Sequence, residues 1–383
     1  MRFNKSPKYK RRRRIFFLVV LGILALNTFF LVKAIKNYTS SKSKKKEPIT
    51  ANKKLSTKKA PSKDKKSNIL LSFAGDCTLG TDTSFGFQNS MPAIFQQHGN
   101  DPSYFFKNVK SIFESDDASI VNLETTFTNS NVKTPKKFNF KGDSRYAKSL
   151  TLGNIDAVNI SNNHIYDYGT KGFEDTKNTL KQNKIPYFGE GNKYIKEIKG
   201  IQIGFLGYTG FDSSNSKLNS IKNDINYLKN DKKCDLVIIN FHWGSEGTYH
   251  PIETQKTLAH FSIDKGADLI IGHHPHVVQG LEKYKNKIIA YSLGNFCFGG
   301  NFNPKDKDTY IFQINYSFNN KSLESQKIKI IPCKISSTNN INNYCPTPQQ
   351  NGEKTRILNK VNSLSTKLPN KLSNDFINID VKK

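Results

Sequence analysis

From residue 68 onwards, short apolar runs alternate with longer segments that have helical spacing. Six apolar runs, rich in Ile, Val and Phe, end in polar residues or glycine and predict buried strands: 68–76, 118–124, 156–164, 202–208, 235–244 and 268–274. Between them, apolar residues recur at helical spacing in 103–115, 169–183 and 252–266. Strands that alternate with helices are typical of an α/β domain with a largely buried sheet.

The later part of the chain has a different pattern. Three apolar runs, 287–296, 309–318 and 325–335, follow one another without helical segments between them, which predicts a more antiparallel part of the sheet. Beyond them the chain is rich in Asn, with one short helical pattern near 352–365. We therefore predict a folded domain over 68–335, followed by a loop, a short helix and a tail over 336–383.

The first 33 residues have the pattern of a membrane anchor. Residues 15–32 carry no charge, and a helix of this length just spans the hydrocarbon layer of about 30 Å. The basic run at 8–14 predicts that residues 1–14 stay in the cytoplasm, that 15–33 cross the cell membrane once and that the rest lies outside the cell. The alternative is a cleaved signal peptide, but the apolar run is long for one and no A-x-A cleavage site follows.

The positive charge is concentrated before the domain. Of the net charge of +28, residues 1–67 contribute +19, from 21 Lys/Arg and 2 Asp/Glu, which leaves +9 for the remaining 316 residues. Residues 34–67 hold few large apolar side chains, so we predict a disordered tether, either a solvated spacer or a segment resting on anionic lipid or wall polymer. With no reader motif and the charge beside an apolar span, nucleic acid is not an expected partner.

Polar residues stand at the ends of the predicted strands. Three of the eight histidines fall within four positions, His273, His274 and His276. The other strand ends supply Asp76, Asn122 with Glu124, Asn162 with Asn163 and His164, and His242. Because the carboxyl ends of strands in an α/β sheet share one edge, we expect these side chains to converge. Oxygen and imidazole ligands suit Mn²⁺, Zn²⁺ or Fe. Two carboxylates, one or two amides and four imidazoles make about seven ligands, which suits a site for two divalent metal ions.

Six motifs carry a family resemblance. In chain order they are GDCTLG, NLE, SNNHIYDYG, NFHWGSE, GHHPHVVQG and SLGNF. Together they resemble the bacterial capsule-synthesis CapA family of poly-γ-glutamate producers, which is related to the calcineurin-like metallophosphoesterases. The resemblance implies a two-sheet sandwich flanked by helices over about 68–335, and a membrane-anchored domain outside the cell.

The resemblance also implies roles for individual residues. Asp76 and His276 would hold one metal ion, Asn163, His242 and His274 the second, and Glu124 would lie between the ions. His164 would act as the acid or base near the leaving group, and Asp167 would orient it. His273 is the least certain of the three clustered histidines.

Two departures from the metallophosphoesterase pattern leave the function open. Asp-x-His at the first strand is here Asp76-Cys77-Thr78, and Glu124 replaces the bridging Asp, so a single-ion site or metal binding without turnover stays possible. One alternative is a metal-dependent hydrolase or transferase that acts on a phosphate or amide linkage in capsule synthesis. The other is a non-catalytic accessory subunit of the membrane-bound polymer synthase or export complex, which binds an anionic polymer such as polyglutamate.

Overall fold

The computed structural model of this chain describes residues 65–379. These residues form two large β-sheets, one small sheet and the helices that cover them. The predicted cytoplasmic segment 1–14, the anchor 15–33 and nearly all of the tether 34–67 lie outside the described residues. Within 65–379, no helix has both the length and the apolar character needed to cross a bilayer.

The larger sheet has nine strands of mixed direction. They are β1 (Lys66–Thr78), β3 (Ala118–Leu123), β6 (Ala157–Asn159), β7 (Tyr187–Phe188), β14 (Asn295–Phe298), β15 (Asp308–Asn319), β16 (Ser322–Lys334), β17 (Thr347–Pro348) and β18 (Ile377–Ile379). The order across the sheet is β17-β16-β15-β1-β3-β6-β7, with β14 beside β1 and β18 beside β16. β1 pairs in parallel with β3 and β14, and antiparallel with β15. The first strand of the domain is therefore central.

The second sheet has six strands, and a third is small. The six are β8 (Tyr194–Ile198), β9 (Ile201–Gly210), β10 (Leu236–Trp243), β11 (Leu269–His273), β12 (Leu281–Tyr284) and β13 (Lys287–Ala290). The four strands β9, β10, β11 and β13 are parallel, and β8 and β12 are antiparallel edges. The small sheet contains β2 (Thr81–Asp82), β4 (Thr126–Phe127) and β5 (Phe140–Gly142).

Helices cover the outer faces of both large sheets. They are α1 (Met91–Gln97), α2 (Lys110–Glu114), α3 (Ala147–Leu152), α4 (Gly169–Gln182), α5 (Asn215–Asn226) and α6 (Glu253–Asp264). A further helix, α7 (Asn351–Leu364), instead packs against the core between the sheets. Apolar residues of α1 to α4 pack on the nine-stranded sheet, and those of α5 and α6 pack on the six-stranded sheet. The result is a two-sheet sandwich flanked by helices, the layer order expected when each sheet buries both faces.

The core between the sheets follows from strand alternation. On β10, Leu236 and Ile238 join the layer between the sheets, whereas Val237 and Ile239 face α5 and α6. Successive side chains of a strand point to opposite faces, so one apolar run serves both layers. This accounts for the nearly continuous apolar runs in the sequence.

The predicted helices 169–183 and 252–266 are confirmed by α4 and α6. The single helix predicted over 103–115 is wrong: the chain forms a 3₁₀ turn at Tyr104–Phe106 and then the short α2. Its aromatic residues are buried in several directions within one cluster, so they do not define one helical face. α5, whose sequence is mostly polar, was not predicted.

Two strand predictions also need correction. The strand predicted over 156–164 stops at Asn159, because Asn159 and Asn162 accept the backbone N–H groups of Ser161 and His164 and turn the chain. The antiparallel pairing expected for 287–296 is confirmed only in part: β13 is antiparallel to β12, but it runs parallel to β11, and β14 runs parallel to β1. Antiparallel pairing is confirmed for β15 and β16.

The C-terminal segment is part of the same folded unit. Ile357 and Val361 of α7 are fully buried in the core between the large sheets. β17 and β18 both pair with β16. The folded unit therefore extends beyond residue 335, where the sequence predicted only a loop, a helix and a tail.

Candidate metal centre

The layer between the sheets becomes polar where the parallel strands end. On β10, the alternation that places Leu236 and Ile238 in the apolar core also brings Asn240 and His242 to the same face, fully buried. The same alternation of side chains places Asn122, Asn159 and His273 at the carboxyl ends of β3, β6 and β11, on the face between the sheets. Strand geometry alone thus gathers amides and imidazoles at one buried edge.

Glu124 is the central side chain of this edge. It follows β3 directly, is fully buried, and neither of its carboxylate oxygens has a hydrogen-bond partner. Its Oε1 faces three imidazole nitrogens, namely Nε2 of His242 at 3.4 Å, of His276 at 3.8 Å and of His164 at 4.0 Å. A buried carboxylate without hydrogen bonds is unfavourable unless a cation compensates it.

Asp76 and His276 form one side of the site. The Nδ1 atom of His276 lies 2.8 Å from Asn295 Oδ1 and 3.5 Å from Asp76 Oδ2. Because Nδ1–H donates to Asn295, Nε2 is left facing Glu124. The other oxygen of Asp76, Oδ1, accepts a hydrogen bond of 2.8 Å from Asn122 Nδ2.

Asn163, His242 and His274 form the other side. His242 Nε2 lies 2.7 Å from Asn163 Oδ1 and 3.0 Å from His274 Nδ1. Three potential ligand atoms therefore converge within reach of Glu124. In addition, Glu124, His274 and His276 each offer one ligand atom, and these atoms all lie within 4.8 Å of one another.

Unusual backbone conformations orient the two histidines. His274 has φ +96° and His276 has φ +57°, both in the region that side chains rarely adopt, and Pro275 between them has a fixed φ. Each such residue costs on the order of 1–3 kcal/mol, and such strain is concentrated at functional sites.

A close approach of two strands brings Asp76 beside Asn295. The Asp76 N–H donates to Gly294 O at 3.0 Å, and a Cβ on Gly75 would lie 1.9 Å from that same oxygen. Only glycine fits at position 75 with this backbone. The opening GDCTLG motif therefore positions its own aspartate.

Burial and neighbouring charges set the protonation of the site. Burial lowers the pKa of His274 to about 3 and that of His242 well below its usual range, which leaves both rings neutral, as metal ligands must be. Burial also raises the pKa of Glu124 well above its usual range. It opposes protonation of His276, but Glu124 and Asp76 raise the pKa of that ring to about 10. Asp76 and Glu124 thus favour a positive charge at His276, a preference that would also stabilise a bound cation.

His164 and Asp167 form a dyad at the edge of the site. His164 Nδ1 lies 2.7 Å from Asp167 Oδ2, which also accepts the Phe140 N–H at 2.5 Å. Lys136 Nζ donates to Asp167 Oδ1 and to Asn163 O, each at 2.7 Å. Burial lowers the pKa of His164, although the Asp167 bond opposes this. The Nδ1–H of His164 therefore donates to Asp167, and the Nε2 atom of His164 faces Glu124.

A cleft of about 600 Å³ opens beside these groups. His164, His276 and Asn295 line it together with Glu246, and six aromatic side chains, Phe85, Phe138, Phe140, Tyr249, Phe298 and Phe302, form much of the rest of its surface. A concave, largely apolar surface with a few convergent polar groups is the usual form of a small-molecule site.

The structure places the eight predicted site residues, Asp76, Glu124, Asn163, His164, Asp167, His242, His274 and His276, at this one location. His273 lies beside the site: its Nδ1 is 3.5 Å from Asp76 Oδ1, and its Nε2 is 3.2 Å from Asn240 Oδ1. The sequence placed Asn122 among the converging strand-end residues without a role, and it did not single out Asn295 or Lys136. Asn122 and Asn295 lie within the quoted motifs or next to them, whereas Lys136 lies in a loop with no motif to identify it.

The family model described as bacterial capsule synthesis protein PGA_cap matches residues 70–300. This chain belongs to that family. The matched range contains all eight site residues, so the site lies within the capsule synthesis domain itself.

Individual similar proteins agree with the family. The capsule biosynthesis protein CapA of Bacillus anthracis is 28% identical over 302 residues, which cover 72% of this chain and 70% of that protein. The PGA biosynthesis protein CapA of Bacillus subtilis is 31% identical over 252 residues, or 60% of this chain and 63% of that one. Among solved structures, a 5'-nucleotidase from Candida albicans aligns with a TM-score of 0.35 at 14% identity, covering 64% and 46% of the two chains.

Proposed function

We propose that this chain is a metal-dependent hydrolase or transferase of capsule synthesis, of the poly-γ-glutamate type, which acts on a phosphate or amide linkage. Membership of the capsule synthesis family and the CapA relatives support the process. The calcineurin-like metallophosphoesterase resemblance of the motifs supports the reaction class.

The unpaired carboxylate of Glu124 is the observation that carries the proposal. Both its oxygens are buried without hydrogen bonds, and Oε1 faces imidazole nitrogens, so the donor set fits one or two divalent ions of Mn, Zn or Fe. Asp76 and His276 would hold one ion, and Asn163, His242 and His274 the other. A bound ion would polarise a phosphoryl or carbonyl oxygen.

His164 would act on the leaving group. The Asp167 carboxylate fixes its Nδ1–H, so its Nε2 is the atom that can exchange a proton in the cleft. Phe140 covers one face of the ring at 4.1 Å between centroids and limits its motion. Lys136 keeps Asp167 in place from the other side.

Metal analysis of the full-length protein tests the proposal. We expect stoichiometric divalent metal in the parent protein, less in His274→Ala and His276→Ala, and an unchanged amount in the exposed control His98→Ala. His164→Ala should keep its metal and lose about 10²–10⁴-fold of its phosphodiesterase rate. Stoichiometric metal that survives the loss of both His274 and His276 would refute the ligand assignment.

A non-catalytic accessory role is the second candidate function. The absence of a histidine at position 78 favours it. Thr78 occupies the place of the histidine in the Asp-x-His pattern, and its Oγ1 is buried without a partner. Metal binding without turnover of any phosphoester or amide substrate would support this role, in which the domain binds an acidic polymer such as polyglutamate within a membrane-bound synthase.

We also propose that residues 15–33 anchor the chain in the cell membrane with the domain outside. The basic run before the apolar segment supports this orientation. Protease added to intact cells should then remove the domain, and full protection would contradict the topology. The +9 charge of residues 68–383 should make binding to acidic polymer weaken with added salt.

A further inference from the structure

Aromatic rings connect the imidazole groups to the mouth of the cleft. Phe140 lies 4.1 Å from His164, and Phe298 lies 4.9 Å from His276, between ring centroids. These two phenylalanines meet edge to face at 6.5 Å. A ligand that has one end beside Glu124 and extends into the cleft would therefore contact aromatic side chains.

The aromatic surface continues outwards. Phe138 lies nearly parallel to Phe140 at 6.4 Å, and Phe85 meets Phe138 edge to face at 5.4 Å. At the mouth, Phe138, Tyr249 and Phe302 remain 37%, 39% and 48% exposed. Contiguous exposed apolar groups beside a site typically mark a surface that a ligand covers.

Some polar groups at the rim are engaged with one another, and Glu246, Asn301 and Lys305 also line the cleft. The Tyr249 hydroxyl donates to Asp306 Oδ2 at 2.8 Å, and Lys360 donates to the same oxygen at 2.7 Å. A sugar would need hydrogen-bonding side chains beside the aromatic faces, and an acidic polymer alone would gain little from phenylalanine. A hydrocarbon chain gains from contact with every ring.

We propose that this aromatic cleft, formed by Phe85, Phe138, Phe140, Tyr249, Phe298 and Phe302, binds the hydrocarbon chain of an amphiphilic substrate. The acidic head group of that substrate lies beside Glu124. The inference deepens the proposed function, because it names the substrate class of the same site.

Calorimetric titration with methyl-, butyl- and octylphosphonate in the presence of Mn²⁺ tests the chain-length dependence. We expect the affinity of the full-length protein to rise up to about fourfold per methylene, the factor that corresponds to about 0.8 kcal/mol per buried CH₂ group. An affinity that does not change from methyl to octyl overturns the proposal, as does the absence of binding by all three.

A double substitution in the cleft tests whether the chain-length dependence of the affinity arises there. Phe138→Ala combined with Phe302→Ala should reduce the chain-length dependence and leave methylphosphonate affinity unchanged. The control Phe87→Ala removes a phenylalanine that is 59% exposed and does not line the cleft, and it should have no effect. Equal chain-length dependence in both variants would contradict the assignment, as would tighter binding of a sugar phosphate than of octylphosphonate.

Turnover separates this inference from the proposed function. If octylphosphonate binds with the expected dependence but no alkyl phosphoester or amide is cleaved, the cleft assignment stands and the hydrolase proposal fails. If a short phosphoester is cleaved and chain length has no effect on binding, the hydrolase stands and the cleft assignment fails.

Discussion

The two ends of the layer between the sheets are built from the same strands and differ in chemistry. Over most of its depth the layer is an apolar core of side chains such as Phe205, Ile238 and Ile271. At the carboxyl ends of the strands it contains Asp76, Glu124 and His242, equally buried, beside the partly exposed His276. The apolar end stabilises the fold by removing surface from water. The polar end keeps charges that the protein alone does not satisfy, so we attribute it to function.

Truncation in the apolar end should have the largest effect on stability. Phe205 is fully buried and contacts the rings of Phe188 and Tyr194 at 5.6 and 5.7 Å between centroids. Phe205→Ala should lower the free energy of unfolding by about 3–5 kcal/mol in urea titrations. Metal content per folded molecule should stay unchanged. The exposed control Phe87→Ala should change stability by less than about 0.5 kcal/mol.

Removal of the central charge in the polar end should have the opposite effect. Glu124→Gln removes an unpaired buried carboxylate, so the metal-free protein should become more stable by about 1–3 kcal/mol in urea with EDTA. The same variant should lose bound metal by elemental analysis. Destabilisation of the metal-free protein would show that Glu124 is satisfied without a cation.

Asn295 should matter for metal affinity more than for folding. Its Oδ1 accepts from His276 Nδ1 at 2.8 Å and so fixes which ring nitrogen faces Glu124. Asn295→Ala should weaken metal binding about 10–100-fold in a competition titration. Asn301→Ala removes an amide from the same cleft without a bond to a histidine, and it should keep the parent affinity.

Asp308 is a buried carboxylate that, unlike Glu124, has hydrogen-bond partners. Its substitution should have the smallest effect on stability of those considered. Burial opposes ionisation of Asp308, but hydrogen bonds from Arg356 and Lys360 hold its pKa below the ordinary value of about 3.9. Its stabilisation is therefore full above that value and is lost as pH falls through the lower folded-state pKa. Asp308→Asn should lower stability by about 1 kcal/mol at pH 7 and show a weaker loss in acid. Acid unfolding identical to the parent would contradict this.

Strand-end residues were predictable because the carboxyl ends of strands in such sheets meet at one edge. Asp76, Glu124, His242 and His274 converge for that reason. The support around them was not predictable in the same way. Lys136 reaches Asp167 from a loop 31 positions earlier, where no periodicity or motif marks it. The positive φ angles of His274 and His276 likewise depend on tertiary packing.

The fold was predictable wherever a pattern of apolar residues is compatible with only one kind of element. Amphipathic spacing located α4 and α6. In 103–115 the same spacing arose from aromatic side chains that are buried in several directions, so the prediction of a single helix there was wrong. Strand direction was only partly predictable for 287–296, where β13 is antiparallel to β12 and parallel to β11, because an apolar run records burial but not the direction of its neighbours.

The central position of β1 determines when the larger sheet can be completed. Gln313 of β15 donates to Ser72 of β1 across 241 positions of the chain. β18, at residues 377–379, then adds to β16. Contacts between such distant segments carry a large loop-closure entropy and slow folding. A nascent chain that ends before β15 leaves one edge of β1 unpaired, so the nine-stranded sheet must assemble late, after nearly the whole domain has been synthesised.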